Sequence, residues 1–369
     1  MRPVLASVTL TWLWPVVLLL AAVVLARAKR VPLAVLLGVL GVAAAALVGR
    51  TFSLAGYGTM LALALSLGSA LTVWLAAREG FPPVFSATVV VGAQVGALVG
   101  ARLLHLVVNP ADWARPFDLQ HGGLVAYGGF LGGAGAAWLL LRGRFAHFAD
   151  LAAPSLGLGL MLTRVGCWFA GCDFGVRQGA TPSWLKALGT FPPLDTPVMR
   201  QQRAQCVSDC ASLASHSSPV HPTELYESAV GLTLFVVALL LLQARRGAAP
   251  GRVFLLVASF YGVLRAVLEV WRGDLGRGEW TAPAWLGPAL ALGLGAALLG
   301  LAAWRLEGRA RTLSLVVGSL GALGAALGLL DSAAPATLST SQLAGLVSSA
   351  LCVALVARRD WTADARRST

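Results

Sequence analysis

The sequence predicts an all-α, polytopic integral membrane protein, and three observations carry that reading. Of 369 residues, 57% are hydrophobic and only 12% are charged, against roughly 45–50% and about 25% in soluble domains. Mean hydropathy is +0.76. The apolar residues fall into blocks close to the roughly 20 residues that a helix needs to cross a bilayer, without the period-2 alternation of an outer-membrane barrel. Disorder, which needs low hydrophobicity and high charge, is excluded, and so is an ordinary soluble enzyme.

Eleven spans are expected, over residues 9–26, 32–49, 57–77, 85–108, 122–142, 149–168, 224–243, 252–271, 283–304, 312–330 and 338–356. In the first, Ala26-Arg27-Ala28 has the small-x-small form of a signal-peptide cleavage site. The basic cluster from Arg27 to Arg30 follows the apolar run, however, which predicts a retained, reverse-oriented helix. The net charge is +12. In a soluble protein that would point to nucleic acid; here the basic residues mark cytoplasmic loops, and no nucleic-acid partner is expected. With the N-terminus outside, sixteen of the 28 basic residues fall in short inner segments and nine in the longer outer ones. The predicted orientation is therefore N-terminus outside and C-terminus cytoplasmic. The long polar segment 171–223, with Pro182, Pro192, Pro193, Pro197 and Pro219, becomes an external loop of short helices and turns. Glycines over 122–135 and 157–159 predict close helix packing.

Charged side chains inside spans are costly and usually face the bundle interior. Arg102, Arg164 and Arg265 are such residues. Tyr261, Arg265 and Glu269 share one helix face at i, i+4 and i+8; three polar groups on one intramembrane face point to a site, with an internal Arg265–Glu269 salt bridge as the alternative. Arg164 stands at the outer end of its span, in Thr163-Arg164-Val165-Gly166-Cys167-Trp168-Phe169-Ala170-Gly171-Cys172-Asp173-Phe174-Gly175. His221-Pro222-Thr223-Glu224-Leu225-Tyr226-Glu227 opens the next span, where Thr223 reads as a cap and Glu224 and Glu227 as favourable first-turn acids. A fourth segment, His121 to Gly129, is also outer. All four converge on one leaflet.

At these residues the chain resembles the prolipoprotein diacylglyceryl transferase family. Leu54-Ala55-Gly56-Tyr57-Gly58 resembles an early Tyr-Gly motif, and Gly100-Ala101-Arg102 followed by Asn109-Pro110 a second-span segment. Gly122 to Gly129 resembles Gly-Gly-Met-Ser-x-His-Gly-Gly, with Tyr127 at the His position. Arg164 to Gly175 resembles Gly-Arg-x-Gly-Asn-x-x-Asn-Gly-Glu, with Cys167, Ala170 and Cys172 at the two Asn and the Glu. His221 to Glu227 resembles His-Pro-Ser/Thr-Gln-Leu-Tyr-Glu, with Glu224 at the Gln, and Tyr261 to Arg272 resembles a Tyr-Gly-x-x-Arg-x-x-x-Glu helix. Leu338 to Leu343 resembles the start of the last family helix. The resemblance implies seven core spans. It makes 1–50 an extra N-terminal helix pair, 51–275 a transferase-like core, 276–335 an inserted pair, and 336–369 the last core helix with a basic tail.

The activity so implied is transfer of the diacylglyceryl group from phosphatidylglycerol to the cysteine thiol of a prolipoprotein signal peptide, in the inner membrane and on its outer side. The partners are that lipid, that peptide and the bilayer, and no cofactor or metal is expected. Tyr127, Arg265, Glu269, Tyr261 and His221 are the candidate catalytic residues. Arg164, Arg265, Tyr57, Gly166, Cys167 and Gly175 are the candidate substrate-binding residues, with both arginines on the phosphodiester. His121 and His221 are alternative bases to Tyr127. A non-catalytic relative that binds anionic lipid or signal peptides is the second reading. Four outward cysteines, Cys167, Cys172, Cys206 and Cys210, predict two disulfides. The favoured pairing joins Cys167/Cys172 to Cys206/Cys210 across the loop, and a zinc site using these with His216 or His221 is disfavoured because its spacing matches no familiar pattern.

Overall fold

The computed structural model describes residues 4–9, 51–117, 123, 125–206, 210–244, 249–274, 279–281 and 337–367, with isolated helical positions between 293 and 319. The expected spans 9–26, 32–49, 283–304 and 312–330 lie almost wholly outside the described residues, as do His121 and Gly122.

Within them the chain is helical where spans are predicted. The elements are α1 (Gly56–Arg78), α2 (Pro83–Val108), α3 (Ala126–Leu141), α4 (Phe145–Ala170), α5 (Ser183–Leu188), α6 (Pro197–Ala204), α7 (Thr223–Ala244), α8 (Arg252–Leu268) and α9 (Thr340–Arg367). Among the described residues four stretches are long and apolar enough to cross a membrane: α1, α2, α7 and Ala126–Ala170, which is α3 and α4 joined through a 3-10 turn. Their outward faces carry Leu65, Trp74, Val91, Val95, Leu131, Trp138 and Leu232, all exposed. A soluble surface rarely presents apolar area on this scale.

The architecture is all-α as expected, with one small addition among the described residues. Two short antiparallel ladders accompany the helices: β1 (Val4–Thr9) pairs with β2 (Thr51–Ala55), and β3 (Glu279–Thr281) with β4 (Thr337–Ser339). The segments carry Val, Thr, Phe and Trp, which favour extended backbone. Thr9 lies opposite Thr51 and Thr281 opposite Thr337.

Local sequence sets the helix ends. Pro83 opens α2 at a position where its missing N–H costs nothing. Gly171 ends α4 in the left-handed region, φ 67°, where glycine carries no Cβ penalty. Small residues let helices touch: a Cβ on Gly157 would lie 2.5 Å from the Phe235 amide nitrogen of α7, and one on Gly132 would lie 2.9 Å from Gly100 Cα of α2. Leu234, Phe260, Val263 and Val356 join α7, α8 and α9 in one apolar core.

The segment between α4 and α7 holds a second core of Phe174, Phe191, Val198, Met199, Leu213 and Val220. It is a folded cap across one end of the bundle. At the opposite end, buried Asp150 of α4 accepts the Gly251 N–H at 2.8 Å and the Phe254 N–H at 2.9 Å, capping α8 from a neighbouring helix. Replacing Asp150 by Ala leaves those amides unsatisfied and should cost about 1–3 kcal/mol. The measurement is the thermal midpoint of the detergent-purified protein, and an unchanged midpoint would mean that the cap contributes nothing.

Candidate functional site

The capped end of the bundle gathers the C-termini of α4 and α8 and the N-termini of α1, α3 and α7. Glu227, in the second turn of α7 and only 2% exposed, lies at its centre. Its Oε2 meets Arg164 Nε at 2.5 Å, and its Oε1 meets both Arg265 Nη1 and, at 3.4 Å, Arg272 Nη1. Three guanidinium groups from two helices and the chain after α8 therefore meet on one carboxylate. Arg265 also pairs with Glu269 at 2.9 Å, the expected i, i+4 bridge. Asp173 bridges the other two arginines, with Oδ2 2.6 Å from Arg164 and Oδ1 2.8 Å from Arg272. Asp274 holds Arg272 in a fork, 2.7 Å from Nε and 2.7 Å from Nη2.

Backbone geometry positions these groups. Past Gly171 the chain turns through Asp173 at φ 63°, a left-handed conformation that Asp tolerates better than most residues. Thr223 Oγ1 donates to the Asp173 carbonyl at 2.7 Å, tying the turn to the start of α7. Gly175 then threads between two segments: its N–H donates to His221 O at 2.9 Å, while Gly273 N–H donates to Phe174 O at 3.0 Å. A Cβ on Gly175 would lie 2.6 Å from both His221 O and Trp271 O, so only glycine fits. Burial raises the Asp173 carboxyl, but Arg164 and Arg272 outweigh it and hold the group below its ordinary value. Burial would lower the Arg272 guanidinium; its bond to Asp274 and the charge of Asp173 raise it instead.

The predicted tyrosines surround this cluster. Tyr57, 42% exposed in the first turn of α1, lies within electrostatic reach of Arg164, Cys167, Cys172 and Asp173. Tyr261, one turn before Arg265, reaches Arg164. Tyr127, in the first turn of α3, faces Arg265 and Glu269.

Other predicted residues sit differently. Gly166 and Gly175 are enclosed by protein: a Cβ on Gly166 would lie 3.1 Å from Met60 Cβ and 3.4 Å from Tyr57 Cα, so this glycine brings α1 against α4. The His221 imidazole turns to Tyr226, with Nδ1 3.1 Å from its hydroxyl oxygen. Arg102 bonds the carbonyls of Pro116, Gly123 and Arg115 and braces the α2–α3 connection.

The expected disulfides are overturned. Cys206 bonds Cys210, and Cys167 and Cys172 are free thiols. Residues five apart at the end of α4 are held together by its helix cap, while the other pair lies within the cap's own fold. Sequence reading also missed Asp173, Glu227 and Asp274 as partners of the arginines. Three arginines at one membrane interface needed carboxylates, and the acids inside the same motifs were the signal.

An arginine–carboxylate cluster at one end of an apolar helix bundle, with tyrosines around it, defines a membrane protein with a buried ionic site. The sequence model of the prolipoprotein diacylglyceryl transferase family matches residues 43–306, and the chain belongs to that family. A phosphatidylglycerol–prolipoprotein diacylglyceryl transferase of Clostridium tetani is 27% identical over 226 residues, 59% of this chain and 81% of the relative. That of Thermus thermophilus is 32% identical over 229 residues, 58% of this chain and 77% of the relative. That of Bifidobacterium longum is 30% identical over 229 residues, 57% and 69% of the two chains.

Two measurements check this geometry. Thiol labelling of the denatured, unreduced protein should modify Cys167, Cys172 and Cys352 and spare Cys206 and Cys210; modification of Cys352 alone would restore the cross-loop pairing. Burial holds the His221 imidazole below its ordinary 6.5. Its neutral form therefore contributes stability above that pH that is lost as pH falls through the lowered folded value. The thermal midpoint should drop on acidification below about pH 6, and His221→Gln should flatten that part of the profile.

Proposed function

We propose that this protein transfers the diacylglyceryl group of phosphatidylglycerol to the lipobox cysteine thiol of a prolipoprotein. The observation that carries the reading is the meeting of Arg164 and Arg265 on the Glu227 carboxylate. Both guanidinium groups reach the two oxygens of that one carboxylate, so a single phosphodiester can be shared between them. Guanidinium forks match phosphate oxygens in geometry and charge. Glu269 and Glu227 hold Arg265 for that task, and Asp173 holds Arg164. Tyr57, Tyr127 and Tyr261 line the approach and donate to headgroup oxygens. The thiolate sulfur attacks the glyceryl carbon that bears the phosphate, the carbon–oxygen bond breaks, and glycerol phosphate leaves on the arginines. A cysteine of ordinary pKa is already a few per cent thiolate at neutral pH, so the phenol of Tyr127 need not act as a strong base. His221 serves the site by holding the segment beside Gly175.

We place the protein in the bacterial inner membrane with eleven spans, the N-terminus and the site outside and the C-terminus in the cytoplasm. The basic-residue count and the family resemblance support an N-terminal pair within 1–50 and an inserted pair within 276–335, each an even number of spans flanking the core. A reporter fused at position 246 or at the C-terminus should read cytoplasmic, and one within 178–218 external. The reverse result would put the site on the wrong side for its substrates.

The decisive assay follows labelled lipid from phosphatidylglycerol to a lipobox peptide. Arg164→Ala and Arg265→Ala each lose a charge-assisted interaction worth about 1.5–3 kcal/mol, hence roughly 10- to 150-fold in rate. Arg265→Lys keeps the charge without the fork and should recover only part of the activity. Wild-type speed in Arg265→Ala would refute the clamp. Arginine-dependent lipid binding by a wild type that transfers nothing would establish the binding-only relative.

A further inference from the structure

Cys167, Cys172 and Asp173 bring one sulfur, a second sulfur and a carboxylate oxygen within 4.8 Å of one another. The helix cap produces this grouping. Cys172 N–H donates to Cys167 O at 3.2 Å, and Gly171 N–H to Trp168 O at 3.3 Å. That is the Schellman arrangement, which sets the side chains three residues before and two after the helix end against each other. Cys167 is buried, while Cys172 and Asp173 are only partly covered, so the group is closed behind and open in front. Tyr57 lies within electrostatic reach of all three residues, and Arg164 meets the Asp173 carboxylate at 2.6 Å. The other groups once candidates for a metal are committed elsewhere: Cys206 and Cys210 to each other, His221 to Tyr226, and His216 Nδ1 to Ser217 O.

We propose that Cys167, Cys172 and Asp173 bind a thiophilic divalent cation, zinc foremost, whose open fourth position takes the substrate cysteine as a thiolate. The proposal deepens the transferase reading and rests on it. Two thiolates and a carboxylate suit zinc, and three protein ligands with one open position are the catalytic pattern. Tetrahedral zinc needs its sulfurs roughly 3.8 Å apart, within reach of the present grouping by small side-chain rotations. Charge permits it: a dication replacing two thiol protons leaves the net charge of the arginine–carboxylate cluster unchanged. Asp173 keeps lone pairs for the metal while it holds the arginines, because a carboxylate has about four acceptor sites.

The site would supply what Tyr127 provides poorly, since a coordinated thiol is deprotonated outright. On binding, the substrate thiol releases its proton to water on the open side. Its sulfur forms a bond to the glyceryl carbon as the carbon–oxygen bond to phosphate breaks. The electron pair of that bond leaves on the phosphate oxygen, carried off as glycerol phosphate. The neutral thioether is a weaker ligand than a thiolate and departs.

The test uses the full-length protein, purified in detergent without chelator. Elemental analysis should find stoichiometric zinc, and exchange with cobalt(II) should give a thiolate-to-metal charge-transfer band. Both should vanish in the Cys167→Ser/Cys172→Ser double variant and persist in Cys352→Ser. Should the double variant fail to fold, zinc added to the native wild type should protect Cys167 and Cys172, but not Cys352, from alkylation. Transfer should fall at least tenfold on chelation and return with zinc. Absence of both metal and cobalt band, transfer indifferent to chelation, or a Cys167–Cys172 disulfide in active protein would overturn the metal site alone. A zinc-loaded wild type that transfers no lipid would overturn the transferase reading beneath it.

Discussion

Three guanidinium groups share one buried carboxylate at Glu227, and the site depends on that contact. Arg164, Arg265 and Arg272 would repel one another if left alone in so small a volume, and removing charges from water is expensive. The Glu227 carboxylate meets all three. Asp173, Glu269 and Asp274 pair with the same arginines from the side, so four carboxylates face three guanidinium groups. Each cation is thereby held in one orientation before any substrate arrives. Removing one member of such a buried pair typically costs about 3–5 kcal/mol, because the partner is left uncompensated. The cluster thus joins α4, α7, α8 and the cap mechanically, and the bundle end cannot be rearranged without breaking it.

The cap owes its position to the same cluster. Its first residues leave α4 through Gly171, and Asp173 immediately anchors to Arg164 and Arg272. Its last residues return through His221 beside Gly175 and start α7, which carries Glu227. Between those anchors the chain builds its own apolar core around Phe191 and Met199, and Trp168 Nε1 of α4 donates to Leu188 O at 2.9 Å. Packing, helix ends and charge pairing therefore point to one arrangement, a consistency that marks a well-specified fold.

The departures from the family pattern acquire a physical context. Cys167 and Cys172 stand where the motif resemblance places an Asn and a Glu, yet Asp173 supplies a carboxylate one residue later, where the left-handed turn delivers it to two arginines. Charge at the cluster is thus kept while two sulfurs appear beside it. Glu224, at a Gln position, is fully buried next to the cluster.

Several elements were legible from the chain alone. Long apolar blocks bounded by Pro83, Gly171 and Gly251 determine the helices, because bilayer length and backbone hydrogen bonding leave few other structures. The i, i+4 spacing of Arg265 and Glu269 determines their pairing, since one turn of helix brings them together. The tertiary structure alone decided which carboxylate each arginine meets: Glu227 lies 63 residues from Arg164 in sequence, and no local periodicity relates them. It also decided the disulfide, because covalent pairing follows the distance between sulfurs rather than their count, and it made a short β-ladder where a span was expected to begin at Thr9. Contacts between residues far apart in sequence depend on how helices stack, and that packing is settled only when the whole bundle closes.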